Sequence, residues 1–287
     1  MDGNSQNINI GFDVEKKRIG VFVPLAFPFG LVPQEFFLSF FRSNEYLLSH
    51  ADELGYEATF QLFSPTTFPV DANRNHCVAL MFENNIDISI WLDADQELYE
   101  DTLFRLLKFG NDYPIYAGIY YLKVAPHHPI VFKAKEGFEV FNPIWRFPKE
   151  DLFYADMIGM GCVKINKEVF EKTDAPWFAY APIPLEISKM SDNMKMKRDY
   201  QIHDVSEDVH FWRQVKEKTG YRIVIDPQVQ VGHITKKIIK PKEVLEMSEI
   251  NKEITRKRLG KDFEKMWEEQ VCKAELVNPN GKVKWVL

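Results

Sequence analysis

Asp93-Ala94-Asp95 places two carboxylates one residue apart, directly after the apolar run 86–92 (IDISIWL). Acids so spaced in a turn can converge on one hard divalent cation. Mg²⁺ or Mn²⁺ takes oxygen ligands and bridges readily to phosphate. The competing reading is a solvated acidic turn. A second acidic pair, Glu207-Asp208, follows Ser206 at the start of a helical pattern. A carboxylate held there can serve as a general base, and Asp208 is the better candidate. Glu207 has two uses open to it: closing a capping box with Asp204, or holding an acceptor hydroxyl. Acids in a first helical turn also suit the helix dipole. His233, in Val231-Gly232-His233, offers an imidazole that can join two carboxylates around a cation, Mn²⁺ above all. His127, His128, His203 and His210 have no comparable context. Gly159-Met160-Gly161-Cys162 lacks the third glycine of a dinucleotide fingerprint, so no Rossmann cofactor site is expected there. Its glycines either admit a ligand close to the backbone or simply make a turn.

These residues need elements to position them. The run 19–24 (IGVFVP) reads as a strand buried on both faces. Residues 34–48 follow as a helix with Phe36, Phe37, Phe40, Phe41, Leu47 and Leu48 at helical spacing. A strand is expected over 56–63, stopped by Ser64-Pro65, then a helix capped by Asp71 and running to about residue 82. The strand 86–92 carries Asp93 at its end, and 101–109 and 115–121 read as a short helix and a fourth strand. This alternation predicts a mostly parallel sheet covered by helices. In an open sheet of that kind ligands bind beyond the carboxyl ends of the strands, where Asp93 falls. Residues 122–158 read as hairpins and loops, and 163–170 follows the glycine turn. Residues 181–204 show no period and are expected to form a mobile loop. A helix over 205–219 ends at Gly220, a strand covers 221–226, and 241–272 is charged and helical in pattern.

Composition excludes several classes. The 287 residues are 45% hydrophobic and 27% charged, which is ordinary globular usage and not that of a disordered chain. The net charge of −6 argues against general nucleic-acid binding, which depends on neutralising phosphate. Cys77, Cys162 and Cys272 are odd in number and far apart, so neither a disulfide framework nor a cysteine zinc site is expected. No run approaches the length of a membrane span. The polar first 17 residues read as a tail without the apolar region of a signal peptide, and the expected location is the cytoplasm.

IGVFVP, VDANRNHCVAL, ISIWLDADQEL, IGMGCVKINKEVFEK, APWF and SEDVHFWRQVKEKTGYRIVIDPQVQVGH occur in that order between residues 19 and 233. Together they resemble the GT-A fold glycosyltransferases, the large family-two-like group that uses nucleotide-sugar donors. The resemblance implies a nucleotide-sugar-binding half over 18–121, an acceptor-binding half over 122–234, and a C-terminal helical extension over 235–287. It implies that Pro24 and Ala26 hold the base and that Arg74 lies near the donor. Asp93 would face the ribose or a metal-bound water. Asp95 would ligate Mn²⁺ or Mg²⁺ at the diphosphate, with His233 completing the shell. Gly161 and Trp177 would lie on the acceptor side. Asp208 would be the base of an inverting transfer with Glu207 beside it, although the same metal shell also occurs in retaining enzymes.

Other classes fit less well. A nucleotidyltransferase usually carries a basic glycine-rich loop after the first strand, and here that loop is PLAFPFG. A phosphatase with an aspartyl nucleophile generally has DxDxT, where this chain has Asp-Ala-Asp-Gln-Glu. An inactive nucleotide-sugar-binding scaffold stands as the non-enzymatic alternative. Residues 235–261 carry nine Lys or Arg against four acids. They form either a solvated helix face or a basic surface for an anionic acceptor or membrane, with Lys236 and Lys237 within reach of a diphosphate. Val244, Leu245, Ile250 and Ile254 could pack this extension on the main domain or on a second subunit.

Overall fold

The computed structural model describes residues 15–25, 32–124, 126–134, 141–180 and 206–235, together with 253, 256, 275 and 276. In chain order the elements are β1 (Lys16–Phe22), α1 (Gln34–Ser49), a 3₁₀ turn (Ala51–Leu54), β2 (Glu57–Phe63), α2 (Val70–Glu83), β3 (Ile88–Leu92) and β4 (Gln96–Glu97). There follow α3 (Thr102–Lys108), β5 (Ile115–Ile119), β6 (Val131–Ala134), β7 (Phe141–Pro143), β8 (Phe153–Ala155), β9 (Met157–Ile158) and β10 (Cys162–Asn166). The last are α4 (Lys167–Glu171), α5 (Glu207–Thr219), β11 (Ile223–Gln230), β12 (Gly232–His233) and β13 (Glu275–Leu276).

Among the described residues the central sheet has eight strands in the order β13-β8-β11-β5-β10-β3-β1-β2. Six of them run one way; β10 and β8 run against them. The sheet is therefore mainly parallel, as expected, with one reversed strand at its middle. Cys162 of β10 lies opposite Leu92 of β3, the residue before Asp93. Small antiparallel units flank it: β7-β6-β9 from the 122–158 segment, and the ribbon β12-β4.

The central strands β3, β5, β10 and β11, and the second half of β1, are buried on both faces, and their residues alternate between two cores. Phe22, Trp91, Ala117, Val163 and Ile225 point to one, under α2, α4 and α5. Ile19, Val21, Ile88, Ile90, Tyr116 and Val224 point to the other, under α1 and α3. A period of two with apolar residues at both phases is what a central strand between two helical layers requires.

Four readings of the sequence need correction. In α1, Phe36 and Leu47 face the core, but Phe37, Phe41 and Leu48 are each more than half exposed. The inward positions belong to Ser39 and Ser43, whose hydroxyls accept from the backbone N–H groups of Leu98 (3.0 Å) and Leu103 (3.1 Å). Those donors would otherwise be buried without partners, so polar need overrides the aromatic stripe. β1 begins at Lys16, inside the expected tail, because its first residues pair with Glu57 and Ala58 at the start of β2. β11 continues through Pro227 to Gln230 past a register shift. Asp71 does not cap α2, which starts at Val70 after Pro69 without a side-chain cap.

The expected loop 181–204 lies outside the described residues, as does most of the extension 235–287. Glu253 and Arg256 there are helical and ion-paired at 3.1 Å, while Glu275–Leu276 adds an antiparallel edge strand to β8. No helix among the described residues is long and apolar enough to cross a membrane.

Candidate functional site

The chemistry-bearing residues gather at the edge of the sheet where the parallel strands end. Pro24 is buried just past β1, where Val23 and Leu25 donate backbone hydrogen bonds to Phe63 (2.8 Å) and Pro65 (2.9 Å). Asp93 follows β3, Tyr120 and Lys123 follow β5, and β11 leads into His233 on β12. β10 enters from the same edge, so Gly161 stands beside Asp93. The Asp93 N–H donates to the Gly161 carbonyl at 3.2 Å. A Cβ at Gly161 would stand 2.1 Å from Gln96 Nε2 and 2.6 Å from Asp93 Oδ2. A side chain at position 161 would therefore collide with its neighbours. What approaches here is the Asp93–Gln96 turn of the protein itself.

Arg74 joins the two acidic motifs. It projects from the buried face of α2 and is 6% exposed. Its Nη2 donates to Asp93 Oδ1 at 3.1 Å, and its Nη1 donates to Glu207 Oε1. The guanidinium lies 5.9 Å from the centre of the Phe178 ring. Burial works against its charge, but Asp93, Glu207 and Asp208 outweigh that and hold it more firmly protonated than usual. Burial raises Asp93 above the usual carboxylate range despite Arg74, with the Asp95 charge adding to the rise. Glu207 is 6% exposed and takes hydrogen bonds from Arg74 and from the Tyr180 hydroxyl. It is thus a buried partner of Arg74. Ser206, not Asp204, is the N-cap of α5, and its side chain makes no capping bond to the helix backbone.

Asp95 and His233 face each other one strand pair away. His233 lies on β12 opposite Gln96 of β4. Its Nδ1 donates to the Tyr121 carbonyl at 2.6 Å, an acceptor that requires the hydrogen on Nδ1. In the neutral ring, Nε2 then presents a lone pair, and it stands 3.4 Å from Asp95 Oδ1. Among the described residues that oxygen is buried with no hydrogen-bond partner, and so are both amide atoms of Gln96. The other carboxylate oxygen, Oδ2, accepts from Lys123 Nζ. Burial alone would raise Asp95; the His233 ring in its protonated form, and the Lys123 ammonium bonded to Oδ2, act against that and hold the carboxyl below its usual range. An imidazole lone pair and an orphaned carboxylate oxygen facing one another suit a cation between them. Mg²⁺ and Mn²⁺ often use one or two protein ligands and complete the shell with water and substrate phosphate. Among the described residues no three His, Cys, Asp or Glu side chains form a closed metal shell. Asp93 turns its Oδ1 to Arg74 instead.

Asp208 sits next to this cluster at the first turn of α5. Its Oδ1 accepts from the Ser206 hydroxyl and from the Val209 N–H (2.9 Å). Burial, followed by the neighbouring Glu207 charge, pushes its carboxyl up to about 6. The Tyr120 hydroxyl, which accepts from the Gly161 N–H at 3.2 Å, is raised far above its usual range by burial and by Asp93 and Asp208. Trp177 makes its contacts elsewhere: its Nε1 donates to the Phe170 carbonyl at 3.1 Å, and its ring packs on Phe82 at 5.8 Å. The neighbouring Phe178 is the residue that reaches Arg74. Ala26, Lys236 and Lys237 lie outside the described residues. Sequence reasoning missed Lys123, Gln96, Tyr120 and Tyr180. The signal for Lys123 and Tyr120 was positional, since both fall just past the carboxyl end of a buried strand.

Nothing in the sequence matches a protein-family model. No curated protein matches it either. By structure the chain is similar to A197 from STIV, at 19% identity and a TM-score of 0.47, over 78% of this chain and 91% of that one. It is similar to GalNAc-T7, solved with UDP, GalNAc and Mn²⁺, at 11% identity and a TM-score of 0.45, over 77% of this chain and 43% of that one. It is also similar to the catalytic domain of Drosophila β1,4-galactosyltransferase 7, solved with xylobiose, at 12% identity and a TM-score of 0.38, over 76% and 71%.

Proposed function

We propose that this chain is a metal-dependent glycosyltransferase of the GT-A type, moving a sugar from a nucleotide-diphosphate sugar to an acceptor hydroxyl with inversion. The observation that carries the reading is the facing pair Asp95 Oδ1 and His233 Nε2, one orphaned and one a lone pair, 3.4 Å apart. Asp95 and His233 would hold Mn²⁺ or Mg²⁺. When bound, the cation offsets the negative charge that develops on the departing diphosphate. Pro24 and the chain after β1 would border the base, and Asp93, fixed by Arg74, the ribose.

Asp208 takes the proton of the attacking hydroxyl. As the acceptor oxygen bonds to the anomeric carbon, the bond from that carbon to the diphosphate oxygen breaks, and the nucleoside diphosphate leaves with its electron pair. A carboxyl near 6 is ionised at neutral pH yet basic enough to accept a proton, which is the compromise a general base needs. Arg74 binds both carboxylate motifs and so fixes the distance between donor and base. If Asp208 takes that proton from the face opposite the diphosphate, the configuration inverts.

Electron paramagnetic resonance with Mn²⁺ tests the carrying observation. Asp95→Asn and His233→Ala are each expected to weaken Mn²⁺ binding on the order of tenfold or more. Wild-type protein that binds no Mn²⁺, with or without nucleotide sugar, overturns the metal assignment. A panel of nucleotide sugars with Mn²⁺ in thermal-shift assays should single out one donor family. The anomeric configuration of the product, read by NMR, decides inversion against retention.

A further inference from the structure

We infer that Lys123 is a diphosphate-binding residue, holding Asp95 with one N–H and offering its remaining donors to the phosphate oxygens of the donor. The inference rests on the glycosyltransferase reading and adds a contact that neither the motifs nor the resemblance assigns.

The argument starts from charge. Asp93, Asp95, Glu207 and Asp208 place four carboxylates around one site. Their ion pairs among the described residues are made by Arg74 and Lys123, with the His233 ring beside Asp95. Arg74 is committed: its side chain is 7% exposed and spans two carboxylates. It has little capacity left for an incoming anion. The Lys123 side chain is 38% exposed and its ammonium is bonded to Asp95. An ammonium has three donors, so contacts remain open on the solvent side.

Placement supports the same role. Lys123 bonds Asp95 through Oδ2, which leaves Oδ1 turned to His233 Nε2. The carboxylate is thereby shared between an ammonium and the position where a cation fits. A diphosphate seated on that cation brings its oxygens next to the ammonium. Phosphate oxygens on a Lys make charge-assisted hydrogen bonds, roughly twice as strong as neutral ones. Lys123 also lies just past the carboxyl end of β5, the edge where an open sheet receives its ligand. Without it, the acidic cluster faces an anionic donor with metal alone as mediator.

Lys123→Met tests this, with Mn²⁺ and inorganic pyrophosphate as probes. Removing the ammonium takes away an anchor of Asp95 and a charge that repels a cation, two opposed effects. Affinity for Mn²⁺ alone should therefore move by less than about threefold. Affinity for pyrophosphate by calorimetry should fall on the order of tenfold, both with Mn²⁺ and in EDTA. Lys123→Arg, which keeps the charge, should recover most of it. The half-exposed position makes the substitution tolerable to the fold, and the melting temperature checks that. Unchanged pyrophosphate affinity in Lys123→Met overturns the inference. So does a loss of pyrophosphate binding that is matched by an equal loss of Mn²⁺ binding, because Lys123 would then act on Asp95 alone. In both cases wild-type protein still binds Mn²⁺ and pyrophosphate, and the glycosyltransferase reading stands. Wild-type protein that binds neither probe removes the reading and the inference together.

Discussion

Asp208, the base of the proposed transfer, is uncomfortable in the folded protein. Burial and Glu207 raise its carboxyl from 3.8 to about 6, so the folded state holds the proton more tightly than the unfolded chain. The stability contributed by that proton is complete below pH 3.8 and is lost as pH rises through about 6. Asn at 208 keeps an oxygen for the Ser206 and Val209 donors and carries no charge. Asp208→Asn should therefore gain about 1–2 kcal/mol over wild type at pH 7.5 in denaturant unfolding, with the gain shrinking toward pH 5. The same variant should lose transfer activity by about a hundredfold or more while still binding donor. In the wild-type enzyme, kcat/KM should rise with pH along an acid limb centred near 6 and then level off. Near-normal turnover in Asp208→Asn, or an acid limb that survives it, removes Asp208 from the base role.

α2 and α5 cover the same core face, and a single side chain ties the start of α5 to α2 and to the end of β3. Arg74→Met leaves Glu207 buried without its cation and frees Asp93 from its anchor. Breaking such a pair from one side costs about 3–5 kcal/mol, which for a chain of this size is a fall in Tm of about 6–15 °C. The loss should be smaller at pH 5 than at pH 8, because Asp93, which burial already raises and Arg74 holds down, takes up a proton more readily once the guanidinium is gone. A differential scanning calorimetry series against pH checks both parts; a pH-independent loss would show that packing, not charge, is what Arg74 supplies. This clamp also marks where the sequence stopped being legible. The strands and helices of the first half were readable because double-sided burial writes continuous apolar runs such as 86–92. Asp93, Asp95, Asp208 and His233 stood out as candidates by residue type and by their place at element ends, and the structure gathers them at one edge of the sheet. That Glu207 reaches Arg74 across 133 residues was not readable, since a buried pair leaves no periodic trace. Nor was the orientation of α1, where Ser39 and Ser43 turn inward to satisfy Leu98 and Leu103 and displace three large apolar side chains to the surface.

Over the whole molecule the sheet carries its chemistry at one edge and a different burden toward the other. Lys164 of β10 is fully buried, and its ammonium donates to the Gly110 (2.9 Å) and Tyr113 (2.6 Å) carbonyls ahead of β5. It secures the reversed strand that joins the two halves of the sheet. Burial, with Lys17 nearby, pushes it down to about 7 from 10.5. The unfolded chain then binds more protons between those values, so stability should rise with pH above about 7 by up to about 1.4 kcal/mol per unit from this group. Asp208 acts in the opposite sense at lower pH. Between about 6 and 7 both penalties apply at once, Asp208 being ionised and Lys164 charged. Lys164→Met should be less stable than wild type at pH 9 by about 1–3 kcal/mol, because two buried carbonyls lose their donor. That difference should narrow as pH falls to 7, since wild type alone then bears the cost of charging. The two sites share no partner, so Asp208→Asn and Lys164→Met should combine additively and flatten the stability profile across that interval. Urea midpoints of the four proteins at pH 5, 6.5, 8 and 9 supply the comparison. A Lys164→Met curve parallel to wild type throughout would mean that Lys164 does not titrate, and that the two carbonyls accept from a permanently charged ammonium.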